Sequence, residues 1–156
     1  MTEPIELRRM VDPWMIVAFE GWNDAADSAT GVIDHLIEQW DADPIAEMDP
    51  EEYYDFQVNR PYVGSDDSGR REITWPTTRL YAARPVGSER DIVLVRGIEP
   101  NMRWRRYVEE LLGLAESVGV TMVVTLGALL ADTPHTRPIP VTGTASDPEL
   151  AAAWHL

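Results

Sequence analysis

One continuous apolar segment, Val120 to Leu126, constrains the fold more than any other part of the sequence. After a glycine and a second apolar stretch comes the polar sequence DTPHTRP at 132–138. A run this apolar, bounded by glycine and prolines, is typical of a strand buried on both faces, as in a parallel sheet covered by helices. Such a strand would present Asp132, His135 and Arg137 on a loop at its carboxyl end. In open α/β sheets, ligand and partner sites tend to lie at that edge.

The segment completes a strand–helix–strand unit in the second half of the chain. Asp91 to Arg96 is predicted to be a strand. Apolar residues from Trp104 to Val118 then recur at helical spacing, up to a glycine at 119 that suits the C′ position of a helix. With the strand at 120–126 they form a βαβ unit, whose two strands run parallel.

The first half is predicted to add strands, a helix and an irregular region. After a short lead-in at 1–12, the sequence predicts a strand at 14–19 and an amphipathic helix from about 25 to 41. Short strands are expected at 45–48, 71–75 and 78–83, and a long irregular excursion at 49–70. We therefore expect one α/β domain over 1–156, with a largely parallel central sheet and helices on both faces. Because a new helix begins near Asp147, we expect the domain to be truncated at its carboxyl end.

The charge of the chain excludes several classes of partner. Its formal net charge is −14, and the thirteen cations are all arginine because there is no lysine. Residues 1–60 contain fifteen acidic residues and three arginines, whereas residues 61–156 contain twelve and ten. A surface this acidic argues against binding to nucleic acid or to an anionic membrane. With no signal peptide and no long apolar stretch, we expect a cytoplasmic protein.

If the three long strands are parallel, the loops that follow them reach the same edge of the sheet. That edge would then gather seven polar side chains: Asn23, Asp24, Glu99, Asn101, Asp132, His135 and Arg137. In such a site His135 would be a general acid or base, and Arg137 would bind a phosphate or carboxylate. Asp24 and Glu99 would orient either residue.

Purely structural roles compete with that hypothesis. Asn23, Asp24 and Asn101 stand where helix N-caps are expected. Side-chain hydrogen bonds from His135 and Arg137 to backbone carbonyls and to Asp132 would hold their proline-rich loop in place. Another cluster, Arg103, Arg105 and Arg106, stands at the start of a helix, where the macrodipole disfavours cations. A solvated face is the simplest explanation of this cluster, and an interface or an ion pair with the acidic half is the alternative.

Familiar catalytic and metal-binding patterns are missing from the sequence. It contains no cysteine, no Gly-x-Ser-x-Gly elbow, no Gly-x-Gly-x-x-Gly fingerprint and no His-Glu-x-x-His motif. The three histidines are far apart. We therefore expect neither a metal site nor a cofactor.

Three sequence blocks occur together in one order. They are FEGWNDAA at 19–26, RGIEPN at 96–101 with Trp104 following, and PHTRP at 134–138 with VTGTASD at 141–147. In order and spacing they resemble the proteasome assembly chaperone 2 family, particularly its actinobacterial branch, over roughly residues 13–150. The resemblance covers only the amino-terminal portion of family members. The later Gly-Pro-Thr-Gly block and the carboxyl-terminal hydrophobic-Tyr-X tail are not found here.

The resemblance implies a phosphorylase/hydrolase-like three-layer α/β fold without established catalysis. It also implies that related proteins act as chaperones of proteasome ring assembly and tend to form homo-oligomers. The first hypothesis is therefore a non-catalytic, assembly-chaperone-like domain that binds a proteasome-related protein or a second copy of itself. The alternative is a small-molecule-binding protein or a hydrolase- or phosphorylase-type enzyme, acting on an anionic or nucleoside-like ligand at the carboxyl edge. A third is a structural subunit of an oligomer.

Overall fold

The computed structural model describes residues 10–66 and 68–156, so most of the lead-in predicted at 1–12 lies outside the described residues. In chain order the elements are β1 (Trp14–Glu20), a 3-10 helix (Ala25–Asp27), α1 (Ser28–Gln39), β2 (Asp43–Glu47), α2 (Pro50–Tyr53), β3 (Tyr62–Ser65), β4 (Arg71–Thr74), β5 (Arg79–Ala83), β6 (Ile92–Ile98), α3 (Trp104–Val118), β7 (Met122–Thr125) and α4 (Pro148–Trp154).

Five of the strands form a central sheet in the order β2-β5-β6-β1-β7. β1 pairs in parallel with β6 on one side and with β7 on the other, so Trp14 lies opposite both Ile92 and Met122. β5 is antiparallel to β2 and to β6. Four strands therefore share one direction, which confirms the largely parallel sheet predicted from the sequence.

Both faces of the sheet are covered by a helix. On β1, Met15 and Val17 pack in one apolar cluster with Ala115 and Val118 of α3. Ala18, which points to the other face, packs in a second cluster with residues of α1. Because neighbouring strand residues point to opposite faces, a strand covered on both sides must be apolar throughout. The result is the expected three-layer arrangement of helix, sheet and helix.

The predicted burial of the segment at 120–126 on both faces is wrong. Its strand, β7, is the last of the central sheet, and its residues alternate between half-buried and exposed. Val123 leaves 45% of its surface exposed. An apolar run indicates a strand, but its burial depends on the neighbours that the rest of the fold provides.

The region predicted as an irregular excursion, 49–70, contains regular structure. Residues Tyr53 and Tyr54, at the end of α2, are buried in an aromatic cluster with Met48 and Tyr107. Further on, β3 pairs with β4 in a two-stranded antiparallel sheet separate from the central one. The strand expected at 71–75 therefore forms, but it pairs with the excursion itself.

Candidate functional site

The loop after β1 lies against the segment that follows β7. Ala128 donates a backbone hydrogen bond to the Asn23 carbonyl, and Ala25 donates one to the Ala128 carbonyl, both over 2.9 Å. The Asn23 carboxamide lies directly against Gly127, where a Cβ atom would collide with it. These contacts bring the carboxyl ends of two parallel strands together.

The same loop also meets the segment that follows β6. The Glu99 amide donates to the Glu20 carbonyl over 2.9 Å. The Glu99 side chain lies so close to Gly21 that a Cβ atom there would stand 2.7 Å from its Cδ. Gly21 has a φ of +153°, in a range that favours glycine. The loops after β1, β6 and β7 therefore meet at one edge of the sheet, where Asn23 of the β1 loop contacts Gly127 and Glu99 contacts Gly21.

Asp24 is buried in that loop and caps α1. Its Oδ1 accepts hydrogen bonds from the amides of Ala29, over 2.7 Å, and Thr30, over 3.1 Å, and its Oδ2 accepts one from the Thr30 hydroxyl. Burial alone would raise its pKa, but these hydrogen bonds outweigh it and hold the pKa below the usual 3.8. The side chain of Asp24 thus does cap the first turn of α1, although the residue lies three positions before the N-cap position at Asp27. Its carboxylate is fully engaged inside the protein.

Asn101 is not a helix cap, contrary to that interpretation. Its Oδ1 accepts hydrogen bonds from the Asp55 amide, over 2.8 Å, and from the Asn59 side chain, over 2.9 Å. Its own amide donates to the Tyr53 carbonyl over 3.0 Å. These hydrogen bonds connect the end of α2 and the chain after it to the loop before α3. Asn101 lies in that loop, two residues before the N-cap position of α3 at Arg103.

Asp132, His135 and Arg137 are exposed, and the structure does not join them to the rest of the predicted constellation. Among residues 10–66 and 68–156, their side chains make no hydrogen bond or ion pair. The loop is closed instead by a backbone bond from the Arg137 amide to the Pro134 carbonyl, over 2.9 Å. The expectation that these side chains hold their own loop is therefore wrong.

Two of the three arginines at the start of α3 pair with a carboxylate of the acidic half of the chain. Arg103 and Arg106 both pair with Glu52 of α2, Arg106 at 3.1 Å. The predicted ion pair with the acidic half is thus confirmed for these two arginines. The attraction between these arginines and the Glu52 carboxylate offsets their unfavourable interaction with the helix dipole.

Three buried tyrosine hydroxyls lie beneath the carboxyl edge. Thr78 Oγ1 stands 2.9 Å from the Tyr54 hydroxyl and 2.6 Å from the Tyr107 hydroxyl, and Tyr54 also donates to the Ile98 carbonyl over 2.9 Å. The third, Tyr53, donates to Glu110. Burial raises the pKa of all three tyrosines, and that of Tyr53 to about 12. They form a neutral, structural network.

A pocket of about 530 Å³ opens beside this edge, and the sequence did not predict it. Its lining comes from β1, α1, β5 and β6 and from the chain around β3 and β4. It includes charged and aromatic side chains that the predicted constellation left out: Glu20, Asp34, Arg60, Tyr62, Trp75, Arg79, Tyr81 and Arg96. The only sequence signal was the density of arginine and aromatic residues on either side of the hairpin.

Metal ligands and membrane spans were also sought in the described part of the chain. Within it, no group of three or more His, Asp or Glu side chains is placed to hold a metal ion. No helix among these residues combines the length and hydropathy that crossing a membrane requires.

Comparison with known proteins agrees with this fold. The family model described as "PAC2 family" matches residues 18–154. A PAC2 family protein from Streptomyces avermitilis has 58% identity and a TM-score of 0.87, over 93% of this chain and 62% of that one. A Mycobacterium tuberculosis proteasome-assembly chaperone homologue has 52% identity and a TM-score of 0.83, over 91% and 60%. No curated protein matches the chain.

A more distant structure shares the same architecture. A Mycobacterium tuberculosis protein of unknown function has 29% identity and a TM-score of 0.77, over 91% of this chain and 49% of its own. The chain spans about three fifths of the length of the two more similar structures. The family model covers well over half of the chain and agrees with sequence identity above 50% over nearly all of it. The chain therefore belongs to the PAC2 family.

Proposed function

We propose that this chain binds a protein partner as part of an assembly-chaperone-like protein, and that the partner is a proteasome subunit. Membership of the PAC2 family supports the first part, and the 52% identity to a proteasome-assembly chaperone homologue supports the second. A protein that meets proteasome subunits before their assembly would work in the cytoplasm. The observation that carries the proposal is an exposed apolar surface at one end of the sheet.

This β7 surface consists of the outer edge of Met122–Thr125, which includes Val123, together with Leu129 and Leu130 in the segment that follows. Val123 is 45% exposed, Leu129 is 59% exposed and Leu130 is 91% exposed. In the described structure, β7 pairs only with β1, so its outer backbone groups have no strand partner. Edges of this kind pair readily with another chain, and apolar side chains beside them add binding energy.

The chemistry of the surface indicates an extended apolar segment of the partner. Such a segment satisfies the backbone groups of the edge and covers the exposed side chains in one step. A second copy of this chain, pairing edge to edge, is another occupant that the geometry allows. A third is a further segment of a longer chain, since the two similar structures extend beyond the matched part. A partner segment and a second copy predict different complexes in solution.

The test mixes the purified chain with the proteasome α and β subunits of its own genome, followed by size-exclusion chromatography with light scattering. We expect a stoichiometric complex with one subunit type and a change in the rate of ring assembly. Val123→Arg should remove the complex, because it places a cation on the pairing surface. Val86→Arg is the matched control, since Val86 is fully exposed on a turn between β5 and β6.

Two results would contradict the proposal. One is the absence of any complex with either subunit type at micromolar concentrations. The other is a complex that Val123→Arg and Val86→Arg weaken equally. A dimer of the chain that Val123→Arg dissociates would assign the surface to self-association instead.

The alternative of an enzyme that uses His135 and Arg137 has no observation in its favour. Both side chains are exposed and make no hydrogen bond within the described residues. Neither is joined by a hydrogen bond or ion pair to Asn23 or Glu99, which would have completed the site. We therefore propose no catalytic role for them.

A further inference from the structure

The pocket beside the carboxyl edge has the size of a small-molecule site. Its volume of about 530 Å³ lies within the range of about 300–1,000 Å³ that is typical of ligand pockets. Its lining combines residues of the central sheet and α1 with residues of the chain around the β3–β4 hairpin. The pocket therefore lies where two parts of the fold meet, a common place for ligand sites.

One wall of the pocket has an excess of one negative charge. Arg96 donates from Nη1 to Glu20 Oε2 over 3.1 Å, and its Nε lies 3.4 Å from Asp34 Oδ1. Two carboxylates therefore share a single guanidinium. A third cation of the lining, Arg79, is already neutralised by Glu47 at 3.0 Å and leaves the excess unchanged.

The part of the lining that comes from the chain around β3 and β4 has an excess of one positive charge. Arg60 lines the pocket from the chain that leads into β3. Within residues 10–66 and 68–156 its guanidinium makes no ion pair or hydrogen bond, and all five of its N–H donors remain available. An arginine in this state binds a carboxylate in a bidentate manner.

Aromatic side chains complete the pocket. Trp75 is 44% exposed, and its indole packs on Phe56 with the ring centroids 4.9 Å apart. Tyr62 and Tyr81 belong to the same lining. A flat apolar group of a ligand would be covered by these rings, while its polar ends reach the charged walls.

We propose that the pocket binds a zwitterionic ligand, a free aromatic amino acid or an aromatic dipeptide. Its carboxylate is held by Arg60, its ammonium group by the carboxylates of Glu20 and Asp34, and its ring by Trp75. A phosphate-bearing ligand fits less well, because the excess negative charge of Glu20 and Asp34 in the same lining would repel it. The pocket contains no residue of the β7 surface, so ligand binding there can be tested independently of the proposed protein partner.

The experiment measures binding of phenylalanine and glycyl-phenylalanine by isothermal titration calorimetry and by saturation-transfer NMR. Each is compared with its N-acetyl derivative and its carboxamide, which each lack one of the two charges. We expect the free zwitterion to bind at least about tenfold more tightly than either derivative, because each charge-assisted hydrogen bond is lost separately.

Arg60→Gln should weaken binding of the zwitterion at least about tenfold and remove the difference between the free acid and its amide. Asp34→Asn should reduce the difference between the free amine and the N-acetyl derivative. The matched control is Arg71→Gln, an exposed arginine of β4 outside the pocket. Circular dichroism of the Arg60 and Arg71 variants should match the parent chain, because both side chains are exposed and neither makes a hydrogen bond or ion pair with the described residues.

Three outcomes would overturn the proposal. The first is no binding of either zwitterion at millimolar concentration. The second is equal affinity for the zwitterion and its amide, which would show that Arg60 does not bind the carboxylate of the ligand. The third is tighter binding of an aromatic phosphate such as phenyl phosphate, which would show that the acidic wall does not select against anions.

Discussion

Replacing Asp24 by alanine tests whether this residue of the carboxyl edge serves the fold. Its carboxylate accepts hydrogen bonds from two amides at the start of α1 and from the Thr30 hydroxyl. Asp24→Ala leaves these three donors without their acceptor, in a position that is almost fully buried. If Asp24 were kept for a ligand instead, its removal would have little effect on stability.

The loss is expected to be large relative to the stability of a domain this size. Each buried donor left unsatisfied costs about 1–3 kcal/mol, and losing an N-cap costs about 1 kcal/mol. Because water can reach part of the exposed loop, we expect Asp24→Ala to lower the free energy of unfolding by about 3–4 kcal/mol. Asp24→Asn, which retains one acceptor oxygen, should lower it by about half as much.

The assay is urea unfolding at neutral pH, followed by tryptophan fluorescence and far-ultraviolet circular dichroism. Asp132→Ala is the matched control, since this exposed carboxylate makes no hydrogen bond or ion pair within the described residues. It should change the free energy of unfolding by no more than about 0.5 kcal/mol. A loss below about 1 kcal/mol for Asp24→Ala would refute the capping argument.

The pH dependence gives a second, independent check on Asp24. Hydrogen bonds from Thr30 and Ala29 hold its pKa in the folded state below 3.8, despite the opposing effect of burial. The stabilisation is therefore fully present at neutral pH and is lost as the pH falls through that lowered pKa. The difference between the parent chain and Asp24→Ala should stay constant down to about pH 5 and narrow below about pH 4. A difference that widens in acid would contradict the assigned hydrogen bonds.

Three further predictions follow from the core and the helices. Gly31→Ala should raise the free energy of unfolding by about 0.5–1 kcal/mol, because its Cβ would meet no atom within 4 Å on α1; thermal melting checks this. Gly97→Ala should lower it by about 1–3 kcal/mol, since its Cβ would lie 2.7 Å from atoms of two packed side chains; equal stability of the two variants in urea would contradict this. Burial, and after it the contact with Glu110, raises the pKa of Tyr53 from 10.0 to about 12. The folded state therefore favours the protonated tyrosine, and its contribution to the free energy of unfolding is complete below pH 10 and is lost as the pH rises towards 12. In a near-ultraviolet titration Tyr53, Tyr54 and Tyr107 should ionise only as the protein unfolds, and reversible ionisation of all five tyrosines near pH 10 would disprove it.

The elements that the sequence predicted correctly are those whose signals are local. β1 and β6 are continuous apolar runs, and α3 repeats its apolar residues at helical spacing. Gly119 adopts the left-handed conformation, with a φ of +80°, that a helix C′ position requires. Each of these features is decided within fewer than about twenty residues, so the fold class could be inferred without a structure.

The elements that it missed depend on contacts between distant residues. The exposed residues of β3 and β4 show no alternation between buried and exposed positions, because neither face of their hairpin enters the core. The pocket is formed where this hairpin meets the central sheet, so its lining could not be assembled from the sequence. Arg60 and Trp75 stand fifteen residues apart in the chain and gain a common role only through that contact.

The predicted site was partly correct because it was inferred from the parallel pairing of the strands. A central β1, paired in parallel on both sides, necessarily brings the loops after β6 and β7 to its own carboxyl end. Asn23 and Glu99 are placed by that pairing. The loop of His135 begins several residues beyond β7, where no strand pairing directs it. The prediction therefore failed where the regular structure ended.

The register of β1 links the fold to the choice of functional experiments. A shift by one residue would exchange Met15 and Val17 with Ile16 and Ala18 between the two faces, and it would also move Asn23 away from Gly127. The core and the edge loops are thus fixed by the same pairing. Substitutions in the edge loops will change stability and binding together and cannot separate them. Substitutions on the β7 surface and at Arg60 of the pocket change side chains that are exposed or partly exposed, and these are the positions at which a loss of binding will identify a function.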